Sequence, residues 1–208
     1  MGDALATWYE ARVCLNNNKA LTPIGARPTL ASCAIAEVCA RTLFEYGQAA
    51  AQAVIANVCD DALERVVEAN TLLSGIGFES GGLALAHPMA LAFTQIDAIH
   101  HDYLHGEMVA MGTLIQLALE DAAEAAEVAH FFARIGLPIH LAQLSLSPTD
   151  TTAMDTIIES ALKNRNAHHM PMSVTADKLR AAMLDANALG LQVAAEAGDA
   201  AYRRVHSR

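Results

Sequence analysis

The chain has 208 residues, of which 53% are hydrophobic, 17% charged and 5% aromatic, a balance that suits packed helices and argues against disorder. A formal net charge of -10 works against nucleic acid or anionic lipid as a partner, because phosphate recognition needs a basic patch. No apolar run approaches the ~20 residues of a membrane span, and Cys14, Cys33, Cys39 and Cys59 form no Cys-x-x-Cys motif. The expectation is a soluble, cytoplasmic protein with buried, reduced thiols.

Helical periodicity begins at once. Leu5, Trp8, Tyr9, Arg12 and Val13 recur at three and four, and Asn16 to Asn18 close a first helix. Asp3 falls at its start, where an acid can cap the helix or serve as a ligand. Pro23, Gly25 and Pro28 mark a loop over 21–28, and Thr29 caps a long helix through Tyr46, with a break expected at Gly47 and helix resuming to about Val58. Asp60 or Asp61 caps the next helix, 62–74, whose buried stripe runs Leu63, Val66, Val67 and Leu73.

Gly75, Gly77, Gly81 and Gly82 then bracket Phe78-Glu79-Ser80, which predicts a helix end near Ser74, tight bends, and a new helix from Ser80 or Gly81. On that helix Leu83, Met89 and Ala90 face the core and His87 looks into a cleft. A polar turn carries His100, His101 and Asp102, and His105 opens a helix running to Glu120. Four of the nine histidines thus fall between His87 and His105. Two imidazoles on successive helices could converge, and neutral imidazole suits zinc, iron or nickel. A catalytic zinc needs a third protein ligand, and its position is not legible from spacing.

Helices follow over 122–135, stopped by Gly136 and Pro138, over 151–163, and over 176–196 with Thr175 as cap. His140 reads as a core or surface residue. The segment 164–171 reads as a loop in which His168 either lines a cleft or bonds to backbone. Arg203, Arg204 and Arg208 read as a solvated basic tail. No alternating strand pattern is present, so the fold class expected is all-α, a compact multi-helix array in a single domain over 1–208.

The stretch from Gly75 to His87, Gly-Ile-Gly-Phe-Glu-Ser-Gly-Gly-Leu-Ala-Leu-Ala-His, followed by His100-His-Asp-Tyr-Leu-His-Gly-Glu107, resembles the signature region of the glycerol dehydrogenases, members of the metal-dependent (group III, iron-containing) alcohol dehydrogenases. The similarity extends to Gly2-Asp-Ala-Leu-Ala-Thr-Trp-Tyr-Glu-Ala11, 62–71, 112–120, 136–144 and the Met170-Pro171 turn, and so covers almost the whole chain. The resemblance implies the C-terminal helical metal domain of such an enzyme. It assigns the metal ligands to Asp3, His87 and His105, and the metal to zinc or iron. Thr7 stands where iron-type relatives carry a further histidine, which favours zinc. Pro88 to Phe93 depart from the family pattern after His87.

The same resemblance implies oxidation of glycerol or another small polyol with NAD as hydride acceptor, with Phe78, His101 and Tyr103 shaping the substrate pocket or passing a proton. No strand followed by Gly-x-Gly-x-x-Gly is found. The nucleotide-binding domain of relatives is therefore expected to be absent, the chain inactive alone, and its bared apolar surface covered in a homo-oligomer, a dimer or larger. The alternative is a non-catalytic oligomerisation or interaction module derived from such an enzyme. A zinc hydrolase of another kind lacks a His-Glu-x-x-His base.

Overall fold

A computed structural model describes residues 1–206, and among them the secondary structure is helices and turns, with no strand. The all-α class read from the periodicity holds. The chain divides into two compact units, Met1–Ala84 and Leu85–Arg208.

In the first unit α1 (Gly2–Asn16) is buried on most of its circumference, with Leu5, Ala6, Ala11 and Cys14 wholly shielded. It packs on α2 (Leu30–Ile55) and α4 (Ser74–Gly81). The caps are those the sequence suggests. Thr29 Oγ1 accepts from Ser32 N at 3.1 Å to start α2, and Asp60 Oδ1 accepts from Leu63 N at 2.9 Å to start α3 (Asp61–Glu68). Two expectations fail. Helix α2 runs unbroken for 26 residues, because Gly47 is buried within it and the ~1 kcal/mol propensity cost of one glycine is small beside tertiary packing.

The second failure is at the glycine cluster. The chain does not bend at Gly75 or Gly77 but passes from α3 through a π-helical turn, Ala69–Leu73, into α4. Gly77 and Gly81 serve close packing instead. A Cβ on Gly77 would meet Thr7 Cγ2 at 2.6 Å, and one on Gly81 would meet the Ala11 Cβ at 2.8 Å. The helix stops only at Gly82, whose φ of +93° suits glycine.

The second unit is built around α7 (His105–Glu120), which buries Met108, Val109, Met111, Leu114, Ile115 and Leu117. Against it lie α5 (Ala86–Phe93) and α10 (Ala176–Ala197), while α9 (Thr151–Lys163) packs on α5 and α8 (Ala125–Ile135) on α10. The histidine-rich turn is itself a short helix, α6 (Asp97–Asp102). Helix α8 ends at Gly136, φ +84°. Gly190 on α10 admits the Ile139 carbonyl, since a Cβ there would fall 1.7 Å from that oxygen.

The expected basic tail is a helix, α11 (Ala200–His206), with Arg208 outside the described residues. The Tyr202 hydroxyl donates to the Gln143 carbonyl, Arg203 pairs with Asp199 at 2.8 Å, and His206 Nε2 meets Glu107 Oε1 at 2.5 Å. No helix of the described residues is long and apolar enough to cross a membrane.

Candidate metal centre

His87 lies in the first turn of α5 and is 6% exposed. His105 is the first residue of α7 and is exposed. Their ring centroids are 5.7 Å apart with planes inclined at 49°, so the second unit pairs the two imidazoles that the sequence singled out. Neutral imidazoles this close, from two helices packed on one another, are a donor set suited to a borderline divalent ion.

The two histidines sit on helix starts held in different ways, that of α5 by a side chain distant in sequence and that of α7 by a local one. Leu85, the residue preceding α5, has no capping side chain. Its N–H and that of Ala86 both donate to Gln116 Oε1, at 3.0 and 3.1 Å, from a residue wholly buried on α7. Gln116 Nε2 in turn donates to Glu120 Oε1 at 2.9 Å. At the start of α7 the Glu107 carboxylate reaches back to accept from Leu104 N at 2.7 Å. Nothing in the local sequence around Leu85 signals Gln116 as its partner.

In the first unit Asp3 is half-buried in the first turn of α1. Thr7, four residues on, is 1% exposed; its hydroxyl is 3.3 Å from the Asp3 carbonyl and 3.1 Å from Ser74 Oγ. That hydroxyl is engaged within α1 and with α4. Glu10, fully buried, accepts from Ala84 N at 2.9 Å and so anchors the segment between α4 and α5.

Of the three residues expected around a substrate, Phe78 is half-buried on α4 of the first unit. His101 is exposed and its Nδ1 lies 2.8 Å from the Asp97 carbonyl, with its ring edge-on to His100. Tyr103 is half-buried and its hydroxyl is 2.8 Å from Ser145 Oγ. It helps to line a cavity of about 440 Å³ with Glu107, Leu104, Tyr202 and His206. Sequence reading missed Tyr202 and His206, because it took their segment for a solvated tail. Burial, followed by the Tyr103 hydroxyl, pushes the Tyr202 phenol well above its usual range.

His168 is exposed, with Nε2 2.9 Å from the Leu162 carbonyl, the backbone-bonded alternative; the buried member of the pair is His169. His140 has a buried Nδ1 without a hydrogen-bond partner, and desolvation lowers its pKa.

The helical architecture and the paired imidazoles define an all-α domain with a donor pair of the kind that can take a divalent ion, and the comparisons narrow the class. No protein-family model matches the chain. It is 47% identical over 193 residues to a glycerol dehydrogenase of Escherichia coli, covering 91% of this chain and 52% of that protein. A glycerol dehydrogenase of Pseudomonas putida is 46% identical over 193 residues, with 91% and 52% covered. The crystal structure of glycerol dehydrogenase from Schizosaccharomyces pombe superposes with a TM-score of 0.87 at 34% identity, covering 95% of this chain and 51% of that one. The chain belongs to the glycerol dehydrogenase family and spans about half the length of the relatives it matches.

Proposed function

We propose that this chain is the metal- and substrate-holding part of an NAD-dependent glycerol or small-polyol dehydrogenase, with Asp3, His87 and His105 as ligands of one divalent ion, zinc in preference to iron. The observation that carries the reading is the His87–His105 pair, centroids 5.7 Å apart on the helix starts of α5 and α7. The relatives named glycerol dehydrogenase support the polyol as substrate.

Each residue has a distinct task in this reading. His87 and His105 offer neutral nitrogen donors, and Asp3 adds the carboxylate that offsets part of the ion's charge. Thr7, with its hydroxyl engaged by Asp3 and Ser74, does not supply a fourth ligand, which supports the three-ligand zinc arrangement. Bound there, the ion supplies Lewis acidity that favours the alkoxide of a polyol whose carbon gives hydride to NAD. Phe78, His101 and Tyr103 are the candidates for contacting substrate or passing a proton, and of these Tyr103 lines the cavity of about 440 Å³ in the second unit. Hydride transfer needs the nicotinamide in contact with the substrate carbon, and no strand followed by Gly-x-Gly-x-x-Gly is found in these 208 residues to bind its pyrophosphate.

The protein acts in the cytoplasm as a homo-oligomer. Leu30 at 78%, Leu104 at 76% and Ile24 at 66% exposure supply apolar surface for association, which a monomeric mass by light scattering would refute. The test of the metal reading is elemental analysis after dialysis against zinc. One equivalent per chain is expected, lost in each of Asp3→Ala, His87→Ala and His105→Ala. Undiminished zinc in all three variants overturns the assignment.

A further inference from the structure

We infer that Gln116 is a positioning residue for His87, setting the start of α5 so that the imidazole faces His105; the inference rests on the metal reading above. Helix α5 begins without a local cap. Of its first donors, Pro88 has no N–H and the Met89 N–H is taken by the Leu85 carbonyl at 3.0 Å. The Ala86 N–H and the preceding Leu85 N–H both end on Gln116 Oε1. One side-chain oxygen, on another helix and 30 residues from Ala86 in sequence, therefore holds the N–H groups of the two residues immediately before His87.

The orientation of that amide is determined by its partners. Two backbone donors face one end and the Glu120 carboxylate faces the other, so flipping it would set N–H against N–H and oxygen against carboxylate. Gln116 is 0% exposed, and a buried amide that satisfies three groups at once is costly to replace by an apolar side chain. It also lies on α7 with His105, eleven residues on, which after about three turns returns to nearly the same face. Helix α7 thus carries one histidine itself and, through Gln116, holds the peptides that aim the other. Side chains that orient a ligand without touching the ion change metal affinity by about 10–100-fold when removed.

Cobalt(II) and zinc titrations of the whole chain, followed by the visible cobalt spectrum and by competition with a chromophoric chelator, test this. Gln116→Met keeps the length and removes the acceptor. It is expected to weaken cobalt binding by about tenfold or more and to alter the spectrum, while Phe132→Leu, a buried change elsewhere in the second unit, leaves affinity unchanged at a similar loss of thermal stability. The exchange Gln116→Glu with Glu120→Gln keeps an acceptor at 116 and a donor at 120, and should recover most of the affinity. Should Gln116→Met fail to fold, Gln116→Asn, which withdraws the same acceptor by one methylene, replaces it with the same expectation. Wild-type affinity in the Gln116 variant, or equal weakening by Phe132→Leu, overturns the inference while leaving the metal reading intact. Absence of metal binding by the wild type overturns both.

Discussion

Gly112 on α7 faces the carbonyl oxygen of Ala86 so closely that a Cβ there would lie 2.3 Å from it. The glycine lets α5 and α7 approach with the residue before His87 pressed on the helix that begins at His105. Gly112→Ala must push the helices apart, because the obstacle is backbone and cannot rotate away. We expect a loss of about 1–3 kcal/mol, the usual cost of overpacking, with weaker metal binding. Denaturant unfolding and zinc titration measure the two effects.

His105 is exposed, so His105→Ala should leave the metal-free protein within about 0.5 kcal/mol of wild type. What it should abolish is the gain on adding zinc. A ligand at about 100 times its dissociation constant adds roughly 2.7 kcal/mol to the folded state. Thermal melts with and without zinc, and after a chelator, should separate for wild type and coincide for the variant.

Burial raises the thiol pKa of Cys39 to about 12, and raises those of Cys14 and Cys33 above their ordinary value. Cys39 stays protonated in the folded chain and ionises once unfolded, near pH 9. Its contribution is therefore complete below that pH and is lost as pH rises from there toward 12. Through this window the Cys39 thiol should steepen the fall in stability by about 1.4 kcal/mol per pH unit. Cys39→Ala should remove one such increment in denaturant melts between pH 8 and pH 10.5, roughly the span where a free thiol ionises.

Cys59 is exposed while Cys14, Cys33 and Cys39 are buried. A neutral alkylating reagent should modify Cys59 quickly in the native chain and the other three only on unfolding. Mass spectrometry of a timed reaction shows whether one adduct forms before the rest. The sequence reading, which buried all four, is corrected at Cys59.

Gly136 closes α8 with φ +84°, and a Cβ there would lie 2.8 Å from the Ala201 carbonyl. Gly136→Ala should strain the turn by about 1 kcal/mol or more and also loosen α11. Faster amide exchange across 200–206, beyond that seen elsewhere in the unit, would report the second effect.

Local signals are the ones that reading along the chain recovers. Thr29, Asp60, Asp150 and Thr175 cap helices as their residue types suggest, with side-chain oxygens on backbone N–H groups three residues on. The glycines at 77 and 81 mislead, because a glycine that ends a helix and one that admits a neighbouring helix look the same in sequence; only Thr7 and Ala11 on α1 decide between the two. Glu10 and Gln116 are invisible as partners of Ala84 and Leu85 for another reason. Their donors are 74 and 31 residues away, and no periodicity links them. Helix α11 is obscured by its charge: Arg203 and Arg204 suggest solvent, but Tyr202 before them and His206 after them make the contacts.

A π turn amounts to one residue more than the α-helix needs, and the segment Ala69–Leu73 places that surplus just upstream of Ser74, Gly77 and Gly81. Excising one amino acid from this turn would let it close as an ordinary α-helical revolution, and the small-residue stripe beyond would still face Thr7 and Ala11. A one-residue deletion in the regular helix on either side has no surplus to absorb it and would swing that stripe by about 100°, so shortening by one position should be tolerated in the turn and poorly outside it.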